Sequence, residues 1–184
     1  DAQSAKRSRR PAPAGELPRY EPSTSKVDFE VVKELPGLIS VRVGANQCDI
    51  QSQFSVPGGK WVTGESDRFT YERSIERRDE AIVVRDSFKN RTDKPLGIMQ
   101  RHRCSYGGPI KRAWLAGLEQ PDLSGTIAQP ANPTSYGATD RFGAGLLPLS
   151  DAFRVHASNG ASQLVVELED NFLVIGPHAT HTAE

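Results

Sequence analysis

Only two of the 184 residues, Cys48 and Cys104, are cysteine, too few for a disulfide framework. They pair only if the fold brings their Cα atoms within about 7 Å. Without that constraint the expectation is two buried free thiols. The chain holds no C-x-x-C, no G-x-S-x-G and no Walker loop, so structural zinc, nucleophilic hydrolysis and nucleotide binding lack a carrier. Charge of one sign is missing too. The 23 basic and 23 acidic residues leave no net field to draw nucleic acid or an anionic membrane. No run approaches the roughly 18 apolar residues of a membrane helix, and no apolar signal segment opens the chain. The expectation is a soluble protein without nucleic-acid partners or membrane insertion. Histidine is scarce as well, and none precedes His102. His178 and His181 stand three apart in an expected strand, on opposite faces, which argues against shared metal coordination. No metal and no cofactor is expected.

What is present is ordinary globular material, 36% hydrophobic and 25% charged, enough for the core of one domain. Residues 1–25 are rich in Pro, Ser, Ala, Lys and Arg and have almost no large apolar side chain, so they read as a disordered tail or linker. Its basic cluster, Lys6, Arg7, Arg9 and Arg10, reads as a solvated charge run. Residues 26–184 read as the folded domain. The stop at Glu184, inside an expected strand, suggests a chain cut from something longer.

The most regular stretch runs from Phe69 to Arg103. Phe69, Tyr71, Arg73 and Ile75 fall on one side of an extended chain and Thr70, Glu72, Ser74 and Glu76 on the other, the period-two pattern of a strand with one wet face. Ile82, Val84 and Phe88 share a face of the next strand, which returns antiparallel. After a turn over Asn90 to Pro95, Leu96, Ile98, Gln100 and His102 share a face that begins apolar and ends polar. Upstream, Phe29–Leu35, Leu38–Val43 and Cys48–Val56 form a meander broken at Pro36-Gly37 and at Gly44 to Asn46. The last of these has an apolar face and an amide-rich one carrying Gln51 and Gln53.

Downstream, Lys111–Leu118 is an apolar run around Trp114, and Pro121–Pro133 is expected to be mostly connection. Phe153–Ala157 reads as a strand by alternation, and Ser158-Asn159-Gly160 as a hairpin turn. Leu164–Glu169 and Phe172–Ile175 read as two further strands. With no helical spacing held over more than two turns, the chain is expected to be all-β, an antiparallel sandwich of ten or more short strands in two packed sheets.

The turn Asn90 to Pro95, carrying Thr92-Asp93-Lys94-Pro95, leads to a strand ending in His102 just before Ser105-Tyr106. It resembles the N-x-T-D-x-P turn, strand and histidine of galactose mutarotase-like proteins. The closing VELEDNFLVIGPHATHTAE is similar to the end of such domains. The likeness covers residues 27–184 in outline and is motif-level from Asn90 to Tyr106. It implies a β-supersandwich, the fold of aldose epimerases and of accessory domains in glycoside hydrolases and polysaccharide lyases. Those settings favour an extracellular or periplasmic location.

Epimerase chemistry pairs a carboxylate base with a histidine acid, and the resemblance puts His102 at the acid. The family's upstream H-x-H-G-G-like loop and its late G-x-x-x-E-x-Q-like segment have no counterpart here. Two readings follow. The first is a noncatalytic carbohydrate-associated domain that binds a glycan or supports a neighbouring domain of a longer chain. The second is an aldose 1-epimerase using His102 as general acid. Sugar sites pair aromatic faces with planar polar groups, so the carbohydrate-binding candidates are Trp61, Trp114, Tyr106 and Tyr136 with Gln100, Arg101 and Arg103.

Overall fold

The computed structural model describes residues 27–184, so the expected tail over 1–25 lies outside the described residues. The chain opens with β1 (Glu30–Leu35), β2 (Leu38–Val43) and β3 (Asn46–Ser55). Pro36-Gly37 makes the first turn because proline presets φ and Gly37 adopts φ +69. Gly37 is also tied to β3, its carbonyl accepting from the Ser52 amide at 2.7 Å, and a Cβ there would meet the Ser52 oxygen at 2.7 Å. Next come β4 (Phe69–Arg77), β5 (Ile82–Asn90) and β6 (Leu96–Ser105). Short strands follow: β7 (Arg112–Leu115), β8 (Leu118–Glu119), β9 (Gly125–Ala128), β10 (Ser135–Ala138) and β11 (Gly143–Leu146). One helix, α1 (Asp151–His156), precedes β12 (Ser158–Ala161), β13 (Val165–Ile175) and β14 (Thr180–Ala183).

The protein is an all-β antiparallel sandwich. A seven-stranded sheet in the order β1-β2-β3-β6-β13-β12-β9 forms one layer. A four-stranded sheet, β11-β10-β7-β8, and a three-stranded sheet, β14-β5-β4, cover its inner face. Alternation decides what each strand buries. Ser52 and Phe54 of β3 face inward with Ile98, Gln100, His102 and Cys104 of β6, whereas Gln51, Gln53, Arg101 and Arg103 face outward.

Under the three-stranded sheet the core is aromatic. Phe54 meets Phe88 at 5.0 Å and Tyr71 at 4.7 Å, and Phe69 meets Phe88 at 5.8 Å. Phe54, Phe69 and Phe88 are fully buried, each contributing about 1.5–3 kcal/mol. Under the four-stranded sheet, Tyr106 donates to the Ala144 carbonyl at 2.8 Å and packs on Phe142 at 5.8 Å. Cys48 and Cys104 are free and buried, and the neighbouring Cys48 thiol, with burial second, pushes the Cys104 thiol upward.

The turn after β5 is held by Asn90, itself fully buried. Its Nδ2 donates to the carbonyls of Lys94, Ile175 and Gly176 at 2.7–3.1 Å, joining the turn to the end of β13. Its Oδ1 accepts from the amide and the hydroxyl of Thr92, both at 2.8 Å.

Several expectations for the C-terminal half need correction. Residues Asp151–His156 are helical, not a strand: only Phe153 is buried while Val155 is 63% exposed, so the apparent alternation does not mark two faces of a sheet. Ser158-Asn159-Gly160 lies within β12, whose partners are β13 and β9, and is not a hairpin turn. The expected connection over Pro121–Pro133 contains β9. The two strands expected over Leu164–Ile175 are one, with a bulge between Asp170 and Leu173. Asp170 holds the bulge by accepting the Phe172 amide at 2.8 Å.

Candidate functional site

The residues singled out by sequence fall into three places. Gln100 and His102 point inward from β6 and line a cavity of about 120 Å³ at the seam of the two smaller sheets. Its floor is Ile50, Ser52 and Leu168, and its roof comes from β5, β11 and β14. His102 Nδ1 lies 2.9 Å from the Ser52 hydroxyl, and the ring packs against Phe153 at 5.7 Å. The residue is only half-buried because it borders the cavity, yet its Nε2 is closed off and has no hydrogen-bond partner. Desolvation pushes its pKa down to about 4, so the ring is neutral near pH 7. Gln100 is 1% exposed, and its Oε1 is likewise without a partner.

Asp86 of β5 also lines this cavity. It is paired across the sheet with Arg73 of β4, which donates through Nε and Nη2 at 2.7 Å each, and it accepts from the Tyr71 hydroxyl at 2.7 Å. Both partners of this ion pair are sealed, with side chains 6% and 4% exposed. Burial, with the Asp86 charge second, pushes the Tyr71 hydroxyl far up. Asp86 was legible as the polar gap in the apolar series Ile82, Val84 and Phe88, opposite the equally anomalous Arg73.

The second place is the outer face of the seven-stranded sheet. Register sets Gln53, Arg101 and Glu169 in one row and Gln51, Arg103 and Glu167 in the next. Arg101 donates twice to Gln53 Oε1, at 2.9 and 2.7 Å, and its guanidinium lies 4.0 Å above the Trp61 ring. Trp61 reaches this face because Val62, bridged to Phe54, turns into the core and leaves its neighbour outward. Arg103 is paired with Glu167, and the two border a depression of about 210 Å³ with Thr126, Gly160 and Ser162. Burial and the nearby Glu167 raise the Glu169 carboxyl. Glu167 and Glu169 were missed by sequence reasoning, although their alternation with Val166 and Leu168 put them on the outer face.

The third place is the outer face of the four-stranded sheet. Trp114 and Tyr136 are cross-strand partners with ring centroids 5.5 Å apart. Arg112 lies 4.5 Å over the Trp114 ring and is held by Glu119 at 2.7 and 3.0 Å. Tyr106, by contrast, is 5% exposed and belongs to the core. Among the described residues no group of three or more metal-ligating side chains comes together, and no helix is long and apolar enough to cross a membrane.

No protein-family model matches the chain, and neither the curated proteins nor the solved structures yield a match.

Proposed function

We propose that this chain is a noncatalytic carbohydrate-associated β-sandwich module of a larger carbohydrate-active protein, related to galactose mutarotase-like domains, and that it contacts glycan through the outer face of its seven-stranded sheet. The observation that carries this reading is the double row of planar polar groups, Gln53-Arg101-Glu169 and Gln51-Arg103-Glu167, with Trp61 stacked at one end. Strands lie about 4.8 Å apart, so such rows offer amide, guanidinium and carboxylate groups at a regular pitch to successive hydroxyls. An indole beside them covers the apolar face of a ring. The depression beyond Arg103 and Glu167 extends the surface.

The geometry speaks against His102 as a sugar-ring acid. Its free nitrogen is sealed in a cavity of about 120 Å³, below the roughly 300–1,000 Å³ of small-molecule sites. A histidine pushed down to about 4 is also largely deprotonated at neutral pH. Two carboxylate residues line the cavity, and both are engaged: Asp86 accepts from Arg73 and Tyr71, and Glu184 is paired with Arg85.

Titration calorimetry against a panel of plant and bacterial oligosaccharides tests the proposal. At least one glycan is expected to bind at or below the millimolar range, with affinity reduced about tenfold or more by Trp61→Ala. A panel without binding in that range would overturn it.

A further inference from the structure

We propose that the glycan is an unbranched, extended and uncharged chain of at least three sugar units, and that Phe172 is a second aromatic platform for it, at the far end of a row that begins at Trp61. This inference rests on the reading of the outer sheet face as the glycan-binding surface. One row beyond Gln53, Arg101 and Glu169, that face turns apolar. Ser55 is in register with Met99, and the bridge between Phe54 and Val62 sets Trp61 beside Ser55. Gln100 pairs with Asp170 and Ile98 with Leu173, so Met99 lies opposite the bulge that holds Asn171 and Phe172. The order across the strands is therefore Trp61, Ser55, Met99, Phe172. Gly97 and the exposed Val174 continue the apolar surface in the row after it.

The bulge is what puts Phe172 there. Val166, Leu168 and Asp170 face inward, so plain alternation would bury Phe172 and expose Leu173. The opposite is found, with Leu173 6% and Phe172 58% exposed. Bulges re-aim side chains in this way beside functional sites. Burying a carboxylate is costly, and Asp170, 1% exposed, has the Phe172 amide as its closest recorded partner, at 2.8 Å. The Phe172 ring is braced from α1 by His156, with centroids 5.8 Å apart.

From the Trp61 segment to β13 is three strand spacings, about 14 Å, roughly the width of three six-membered rings laid side by side. A chain along this row sets apolar ring faces on Trp61, Met99 and Phe172. Its hydroxyls along one edge then meet Gln53, Arg101 and Glu169 in the adjoining row. The two polar rows balance Arg101 and Arg103 against Glu167 and Glu169, so they favour a sugar of neither charge.

Linear β-1,4-linked oligomers of glucose, mannose and xylose, two to six units long, serve as probes in titration calorimetry with the full chain. In at least one series, affinity is expected to rise about tenfold or more from two to four units and then to level off. Phe172→Ala should weaken the four-unit oligomer about fivefold or more and the two-unit oligomer less than twofold, and Phe172→Tyr should keep the length dependence. The inference falls alone if these series fail to bind while another glycan of the panel binds through Trp61. It also falls alone if they bind through Trp61 with no dependence on length or on Phe172. If no glycan binds, it falls together with the proposed function. Should Phe172→Ala fail to fold, the length dependence of the unaltered chain and of Phe172→Tyr decides.

Discussion

Asp86 and Arg73 show what alternation alone leaves unexplained. Each occupies an inward position on a strand whose neighbours are apolar, and each is tolerated because the other stands opposite in register. A buried ion pair contributes little net stability, but breaking it leaves an uncompensated charge. Asp86→Ala is therefore expected to cost about 3–5 kcal/mol in urea unfolding. The double variant Arg73→Met with Asp86→Leu should recover most of that loss. His102 gives a prediction in pH. Its folded pKa is depressed to about 4 from an unfolded value of 6.5. Between those values the unfolded chain binds more protons, so the neutral ring's contribution is complete above pH 6.5 and is lost as pH falls toward 4. The sum is at most about 3 kcal/mol. Burial raises Asp170 and Glu169, which act in the opposite direction over the acid range. The comparison that isolates His102 is its difference from His102→Gln, whose urea midpoint should fall less between pH 7 and pH 4.5.

At the scale of elements, strands with one wet face were legible and elements without that contrast were not. The alternation along β4, β5 and β6 has a physical cause, since one face of each meets the opposing layer and the other is more open. Helix α1 has six residues, less than two turns, so no 3.6-residue period could be read. It is held by Phe153 in the core rather than by propensity. Strand β9 is mostly exposed and carries no apolar pattern, so it was hidden in an expected loop. The four-stranded sheet depends on close approach that sequence does not display. A Cβ on Gly137 would lie 2.6 Å from the Tyr106 hydroxyl oxygen, and that hydroxyl is fixed to Ala144. Gly137→Ala is expected to destabilise the fold by about 1–3 kcal/mol in chemical denaturation, and pairing it with Tyr106→Phe should recover part of the loss.

For the whole molecule, the sandwich class was readable, whereas the grouping of site residues needed the sheets. Successive residues on a strand face opposite ways, so Gln100 and His102 part from Arg101 and Arg103 even though all four are adjacent in sequence. Which aromatic joins which face depends on the bridge between Phe54 and Val62 and on the pairing of Trp114 with Tyr136, contacts between distant segments. The chain has two tryptophans, one on each of the two candidate outer faces, and His102 reports on the interior. Following the two indole N–H signals and the His102 ring by NMR during titration with the best-binding oligosaccharide tests the account most directly. A saturable shift of the Trp61 indole, with Trp114 and His102 unmoved, is the predicted result. Shifts confined to Trp114 or to His102, or no shift into the millimolar range, would contradict the outer sheet face as the place where glycan binds.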